Sequence, residues 1–161
     1  KLNSNVMQSI PNIIIPVIEN GTSSNKNLRD ELQDKRVIIF GVPGAFTPTC
    51  SEKHLPGFIK LYDRIINTNI DDVYCLSVND AFVMKAWLLS YTDNSRIKGI
   101  ADGNGDFSKS LNLLADQKKN FMGMRCTRFA LISIDNNIKK IFIEKPGELK
   151  VSSAENILAK L

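Results

Sequence analysis

The sequence predicts an α/β fold with a central mixed sheet flanked by helices. Two continuous apolar runs, RVIIFGV (36–42) and DVYCLSV (72–78), are typical of strands buried on both faces of a sheet. Each run is followed by apolar residues at helical spacing, which indicates helical crossovers between parallel strands. Two further apolar runs near the C-terminus predict a hairpin, which adds an antiparallel pair. With 161 residues, the chain fits one domain, which we assign to residues 1–161.

The N-terminal part of the chain leads into the first buried strand. Residues 1–10 are polar and lack periodicity, which predicts a flexible start. Residues 12–18 (NIIIPVI) are extended, and the prolines in and before this segment allow an edge strand or a loop but not a central strand. Residues 21–27 (GTSSNKN) predict a turn-rich loop, and residues 28–34 (LRDELQD) predict a short helix.

A long helix is predicted between the two buried strands. It begins within TPTCSE (47–52), because a proline in the first helical turn costs no hydrogen bond, and it continues to about residue 67. Thr49 and Glu52 also match a capping box. After the second buried strand, the dipeptide at 79–80 (ND) caps a helix that runs through residue 92.

The C-terminal half continues this alternation of strands and helices. Its predicted elements are a strand at 98–102, a helix at 106–114, a hairpin of strands at 128–134 and 138–144 with asparagines 136 and 137 in the turn, and a helix from a capping box at 152–155 to residue 161. Buried strands joined by helices and closed by an antiparallel pair are the layout of a thioredoxin-like fold.

Composition and charge exclude several classes of function. The net charge of +4 comes from scattered lysines without interleaved aromatic residues, so we expect no nucleic-acid partner. The longest apolar run, IPNIIIPVI, is too short and too broken to span a membrane, so we expect no membrane partner. One histidine and three cysteines without a C-x-x-C pair argue against a metal centre, and we expect neither a metal nor a cofactor.

The odd number of cysteines also argues against a disulfide-stapled secreted domain and indicates a reducing, intracellular compartment. The chain begins with Lys rather than Met. We therefore expect a precursor from which a targeting segment was removed, and a cytosolic or organellar location (plastid or mitochondrion).

Cys50 is the residue whose position points to chemistry. It lies in the first turn of a predicted helix, where unpaired N–H groups and partial positive charge favour the thiolate, the nucleophilic form of cysteine. Thr47 stands three residues earlier, and its hydroxyl can turn toward the sulfur or toward an oxygen above it. Pro43 and Pro48 stiffen the loop and screen the sulfur from water. Such a pocket keeps hydrogen-bond donors aimed at developing charge.

A thiolate needs a lasting positive charge nearby, and Arg128 is the candidate. Arginine stays ionised at physiological pH. Arg128 opens an otherwise apolar strand, where a charge is costly unless it faces a functional site. If that strand ran antiparallel to residues 36–42, Arg128 would lie beside the loop that carries Cys50. We therefore predict an antiparallel pairing of these two strands.

These residues together resemble a known active site. The pattern Pro43-x-x-x-Thr47-x-x-Cys50 with a distant Arg128 resembles the peroxiredoxins. The stretches GVPGAFTPTCSEKHLPGF and CLSVNDAFVMKAW resemble the type-five (plant type-II) branch. The resemblance implies that Cys50 is the peroxidatic cysteine, that Thr47 and Arg128 orient the peroxide and stabilise the thiolate, and that Pro43 shields the sulfur. It implies a thiol-dependent peroxidase that reduces hydrogen peroxide and organic hydroperoxides and forms a sulfenic acid at Cys50.

One departure from the family pattern concerns the second cysteine. Members that resolve the sulfenic acid internally have a thiol near the C-terminus, but this region reads GELKVSSAENIL here. The resemblance therefore implies a one-cysteine enzyme reduced by an external thiol, either glutathione (alone or with glutaredoxin) or thioredoxin. It also implies a homodimer with loops near the active site at the interface.

Other interpretations of the reactive thiol are a non-enzymatic redox sensor or holdase and a disulfide oxidoreductase. The second is disfavoured because C-x-x-C is absent. We predict that Cys75 is a core residue within an apolar strand. Cys126 lies two residues before Arg128 and is a candidate regulatory thiol if it shares that residue's face. We expect His54 to be a hydrogen-bonded helix residue rather than an acid or base. Arg125 is the alternative to Arg128 as the arginine beside the Cys50 thiolate.

Overall fold

A computed structural model describes residues 8–91 and 96–161 of the chain. In these two ranges the strands are β1 (Ile14–Glu19), β2 (Thr22–Asn27), β3 (Arg36–Val42), β4 (Asp72–Ser77), β5 (Lys98–Ala101), β6 (Leu114–Asp116), β7 (Met124–Cys126), β8 (Phe129–Ile134) and β9 (Asn137–Ile143). The α-helices are α1 (Leu28–Leu32), α2 (Leu55–Ile66), α3 (Ala81–Leu89), α4 (Asp106–Ser110) and α5 (Ala154–Ala159). A π-helical turn at Cys50–His54 leads into α2.

The main sheet has the strand order β2-β1-β5-β4-β3-β8-β9. Strands β3, β4 and β5 are parallel, whereas β1 is antiparallel to β5 and β8 is antiparallel to β3. Strands β6 and β7 form a separate antiparallel pair. The predicted α/β fold with a central mixed sheet flanked by helices is confirmed, and so is the antiparallel pairing of β3 with β8. Within the described ranges, no helix is long and apolar enough to cross a membrane.

Two apolar layers cover the two faces of the main sheet. Alternate residues of β3 point to opposite layers, so Ile38 belongs to one layer and Val37 to the other. The first layer contains Cys50 and residues of α2, α3 and α5. The second contains Cys126 and residues of α1 and α4. Burial on both faces explains why β3 and β4 are continuous apolar runs in the sequence.

The N-terminal hairpin differs from the prediction. Strand β1 is not an edge strand, because it lies between β2 and β5. Its Pro16 is tolerated because the pairing with β5 covers only Val17 and Ile18. The predicted loop at 21–27 is largely strand β2, which forms the edge of the sheet. Asn20 and Gly21, at φ 51° and 73°, make the tight turn between β1 and β2.

Two predicted helix caps are also wrong. Ser153, not Ser152, caps α5 by accepting a hydrogen bond from the Asn156 N–H. The Ser152 hydroxyl instead donates to the Glu144 carboxylate at 2.6 Å. Thr49 has a helical conformation and makes no side-chain cap bond, because the helix begins one residue earlier. Asp80 does cap α3, as predicted, by accepting from the Val83 N–H.

Two predictions, for the N-terminal residues 1–10 and for the end of α3, fall partly outside the residues that the structure describes. The flexible start predicted for residues 1–10 falls partly on residues 1–7, which lie outside the described residues. Residues 8–10 contact β9: Ser9 bridges to Asn137, and Ile10, which is fully buried, donates its N–H to the Asn136 carbonyl. The predicted end of α3 at residue 92 also lies outside the described residues, and α3 ends at Leu89.

Candidate active site

Cys50 lies in the first turn of a helix whose winding is locally wider than α. The helical backbone begins at Pro48, and the Leu55 N–H donates to the Cys50 carbonyl, an i→i+5 bond. Such π-helical turns inside α-helices are frequent at functional sites. Cys50 therefore lies at the start of a helix, as predicted, where unpaired N–H groups and the positive end of the helix dipole favour an anion.

Helix α3 holds this π-helical turn in place. In the i→i+5 pattern the Ser51 carbonyl would accept from residue 56, but Pro56 has no N–H. The Tyr91 hydroxyl donates to the Ser51 carbonyl instead, at 2.7 Å. The Trp87 indole N–H donates to the Ser51 hydroxyl at 2.9 Å. The turn that carries Cys50 is therefore fixed by Trp87 of α3 and by Tyr91, which lies two residues after that helix ends.

Arg128 reaches the Cys50 sulfur from the other side. It immediately precedes β8, and because β8 is antiparallel to β3, its start lies beside the loop that follows β3. Its Nη2 donates to Cys50 Sγ at 3.3 Å, and its Nη1 lies 2.9 Å from His54 Nδ1. The sulfur itself is buried, with Cys50 only 1% exposed. Arg128 therefore places a permanent positive charge and a hydrogen-bond donor at a buried sulfur.

Thr47 and Pro43 shape the loop in front of this sulfur. The Thr47 hydroxyl donates to the Gly44 carbonyl at 2.7 Å rather than to the sulfur, which leaves its oxygen able to accept a hydrogen bond. The Pro43 carbonyl accepts from Arg125 Nη1 at 3.3 Å. A Cβ on Gly44 would lie 2.9 Å from that same nitrogen, so a larger residue there would displace the Arg125 guanidinium. Arg125 therefore braces the loop, whereas Arg128 contacts the sulfur.

His54 is buried beside Arg128. Its Nε2 lies 2.8 Å from the Ser152 carbonyl, and its ring packs against Phe40 and Phe58 with centroid distances of 4.9 and 5.7 Å. Burial, followed by the positive charge of Arg128, lowers the pKa of His54 to about 3. The prediction that His54 is a hydrogen-bonded helix residue is confirmed.

The other two cysteines are buried and lie in different environments. Cys75 is in the same apolar layer as Cys50, and Cys126 is in the opposite layer. The Cys126 thiol donates to the Val42 carbonyl at 3.1 Å. Burial raises the pKa of both the Cys75 and the Cys126 thiols. The prediction that Cys75 is a core residue is confirmed, and Cys126 does not share a layer with Cys50.

A cleft of about 410 Å³ opens next to these residues. Pro43, Thr49 and Arg128 line it, together with loops at 115–120 and 144–148. Lys119 on one loop and Lys145 on the other are exposed. The cleft is therefore lined by charges of both signs, with Lys119 on one loop and Lys145 beside Glu144 and Glu148 on the other.

Comparison with known proteins identifies the family. The sequence profile of the redoxin family matches residues 6–158. Peroxiredoxin-2B of Arabidopsis thaliana is 44% identical over 154 residues, which cover 90% of this chain and 95% of that relative. The chain belongs to the peroxiredoxin family. Peroxiredoxins are thiol peroxidases, so this chain is an antioxidant oxidoreductase with thiol-dependent peroxidase activity, and the predicted family and enzyme class are confirmed.

Solved peroxiredoxin structures have the same fold. Reduced Prx3 of Vibrio vulnificus in complex with hydrogen peroxide is 38% identical, with a TM-score of 0.88, over 95% of this chain and 96% of that chain. The antioxidant protein of Plasmodium falciparum, a 1-Cys peroxiredoxin, is 36% identical, with a TM-score of 0.87, over 94% of each chain. The predicted thioredoxin-like fold is confirmed for this peroxiredoxin.

Proposed function

We propose that this peroxiredoxin reduces hydrogen peroxide and organic hydroperoxides with Cys50 as its peroxidatic cysteine. The 3.3 Å contact between Arg128 Nη2 and Cys50 Sγ carries the proposal, because it supplies charge and a donor to a thiol at a helix start. The thiolate attacks the terminal peroxide oxygen, and an S–O bond forms while the O–O bond breaks. The departing oxygen takes up a proton from water, which replaces the proton that the thiol lost to solvent on ionisation, and it leaves as water or an alcohol, so that Cys50 becomes a sulfenic acid.

Three further residues have assigned roles in this reaction. Arg128 stabilises the thiolate and then donates to the peroxide oxygens as negative charge moves onto them. Thr47, whose own hydrogen is held by the Gly44 carbonyl, accepts the peroxide O–H and orients it toward the sulfur. Pro43 shields the sulfur from water at the wall of the cleft. The peroxide-bound Vibrio relative supports this choice of substrate.

The reductant of the sulfenic acid is an external thiol, with glutathione, alone or with glutaredoxin, as our first choice and thioredoxin as the second. Lys119 and Lys145, which line the cleft, support glutathione, because its two carboxylates could pair with these cations. The Plasmodium relative, which is a 1-Cys peroxiredoxin, supports a one-cysteine cycle.

Steady-state peroxide consumption tests the proposal. Cys50→Ser should abolish turnover with glutathione plus glutaredoxin, while Cys75→Ser should retain most of it. Running the same assay with thioredoxin separates the two reductants. Full turnover by Cys50→Ser would refute the role of Cys50, and a wild-type protein that consumes one equivalent and stops would be a redox sensor.

We also propose a homodimer and a reducing compartment. Phe46, Phe82 and Phe121 are 56%, 87% and 98% exposed, and large exposed apolar side chains of this kind favour a protein interface. Cys50, Cys75 and Cys126 are unpaired, which suits a cytosolic or organellar location kept reduced by glutathione. We assign this activity to a single domain of residues 1–161.

A further inference from the structure

His54 is connected to the Cys50 sulfur through one side chain. It stands four residues after Cys50, at the end of the π-helical turn, and is 1% exposed. Arg128 bridges the two: its Nη1 contacts His54 Nδ1 at 2.9 Å and its Nη2 contacts Cys50 Sγ at 3.3 Å. The guanidinium is planar and rigid, so a contact that fixes one nitrogen also fixes the direction of the other.

The contacts of His54 define its tautomer. The Ser152 carbonyl can only accept a hydrogen bond, so His54 Nε2, 2.8 Å away, carries the ring proton. Nδ1 is then unprotonated and carries a lone pair, which accepts the hydrogen bond from the Arg128 N–H. Two charged groups act on this ring: the Arg128 cation disfavours a second proton, and the Glu144 carboxylate favours one more weakly. With burial added, the imidazole stays neutral across the pH range of a cellular enzyme.

No carboxylate competes for Arg128 among the residues that the structure describes. None of the ion pairs in these ranges includes Arg128. The neighbouring Glu144 makes no ion pair with Arg128 in these ranges, and its Oε2 accepts from the Ser152 hydroxyl and from the N–H groups of Ser152 and Lys150. An acidic partner would hold the guanidinium but would also cancel its charge, whereas a neutral imidazole holds it and leaves the charge to the sulfur.

We propose that His54 is a positioning residue of the peroxidase reaction, whose Nδ1 lone pair holds Arg128 against Cys50 without neutralising it. This inference rests on the proposed function of Cys50 and Arg128, and it adds a third residue that touches neither peroxide nor sulfur. Cys50 and His54 are four residues apart in this helical turn, and both contact the same guanidinium.

The chain has one histidine, so nitrogen NMR of the wild-type protein reports on His54 alone. With the protein selectively labelled at histidine nitrogen, the ring should show a protonated Nε2 and an unprotonated Nδ1 that stay unchanged from pH 8 to pH 5. A protonated Nδ1, or a titration with a midpoint near the ordinary value of about 6.5, would overturn the inference. This measurement requires neither peroxide nor a variant that folds.

Two substitutions separate the two ring nitrogens. His54→Asn retains an acceptor at the position of Nδ1, whereas His54→Gln retains a donor toward the Ser152 carbonyl but has no acceptor at Nδ1. We expect the iodoacetamide alkylation rate of Cys50 at pH 7 and the peroxide kcat/KM to fall about tenfold in His54→Gln, the size of one lost hydrogen bond to a charged group. His54→Asn should stay within about twofold of wild type.

Equal losses in the two variants, or no loss in His54→Gln, would contradict the inference. Urea unfolding of each variant shows whether it is folded under assay conditions. The outcome is separable from that of the proposed function: alkylation and NMR involve no peroxide, so they test the contact even if Cys50→Ser were to retain turnover. A His54→Gln variant with slow alkylation and wild-type turnover would likewise contradict a role of His54 in the peroxidase reaction.

Discussion

Arg128 Nη2 lies 3.3 Å from Cys50 Sγ, although 78 residues separate the two in the chain. The antiparallel pairing of β3 with β8 creates this contact, because it returns the chain to the end of β3 from which the loop to Cys50 departs. Removing the contact should therefore affect chemistry more than folding.

We expect Arg128→Gln to slow the reaction with hydrogen peroxide by about 10² to 10³, as for the loss of one aimed donor in a transition state. Stopped-flow oxidation of Cys50 measures this rate. Arg64→Gln, at an exposed position on α2, is the matched control and should react like wild type. A wild-type rate in Arg128→Gln would show that another cation stabilises the Cys50 thiolate. Arg125→Gln would then be the variant to test.

We expect Thr47 to contribute to the reaction with peroxide through its hydroxyl oxygen, which accepts a hydrogen bond. Thr47→Val keeps the shape of the side chain but loses the acceptor and the bond to the Gly44 carbonyl, so we expect a loss of about 10² in peroxide reactivity. Thr47→Ser keeps the hydroxyl and should recover most of the rate in the same assay. If Thr47→Val and Thr47→Ser are equally slow, the methyl group and not the oxygen is what the site uses.

Oxidised Cys50 should persist as a sulfenic acid rather than as an internal disulfide. Cys126 packs on the other side of the main sheet, and its thiol is bound to the Val42 carbonyl. One equivalent of peroxide followed by dimedone should label Cys50, as read by mass spectrometry. A dominant species two hydrogens lighter, mapped to Cys50 and Cys126, would overturn the one-cysteine cycle.

Stability should decline on mild acidification because of His54. Burial and Arg128 lower its pKa to about 3 in the folded protein, against about 6.5 in an unfolded chain. Between these values the unfolded state binds a proton that the folded state does not, so the free energy of unfolding decreases as the pH falls. We expect a loss of about 2 kcal/mol from pH 7 to pH 5 by urea unfolding. His54→Asn should remove most of this slope, and an unchanged slope would assign it to other groups.

The exposed phenylalanines should set the oligomeric state. Phe82→Glu places a charge at an 87% exposed position, and we expect it to convert a dimer into monomers in sedimentation velocity at micromolar concentration. Gln33→Glu, which adds a charge at an exposed polar position, is the control and should sediment like wild type. A wild-type protein that is already monomeric would refute the dimer.

The elements that the sequence predicted well are those that bury apolar side chains. Strands β3 and β4 are covered on both faces, so each is a continuous apolar run; β3 has the predicted bounds and β4 ends one residue earlier than predicted. Strand β2 was missed because it is an edge strand with exposed polar side chains, although the Asn-Gly dipeptide before it is a hairpin signal. Strands β6 and β7, three residues each, are too short to show a period.

Some residues of the candidate site were predictable from the sequence, whereas the contacts that hold them in place were not. Cys50, Thr47 and Pro43 are local in sequence, and the charge of Arg128 at the start of an apolar strand made it conspicuous. The contact of His54 with Ser152 was not predictable, because it joins residues 98 apart through a backbone carbonyl that any residue type would provide. The hydrogen bond from the Tyr91 hydroxyl to the Ser51 carbonyl was not predictable either. The missing N–H of Pro56 leaves that carbonyl without a backbone partner only when the turn is π-helical, and the sequence did not predict a π-helical turn.

The π-helical turn makes the angular register of the helix depend on one residue. Each residue of an α-helix advances the direction of the side chains by about 100°, and a π-turn absorbs roughly one residue more than an α-turn. Both the i→i+5 bond of a π-turn and the i→i+4 bond of an α-turn close about one turn, so Cys50 and Leu55 point in similar directions although five residue steps separate them. Winding the same residues as a regular α-helix would rotate Cys50 by about 100° relative to Leu55 and Phe58, which anchor α2 in the core, and the sulfur would turn away from Arg128. The reactivity of the thiol thus depends on the winding of this single turn as well as on the cysteine itself.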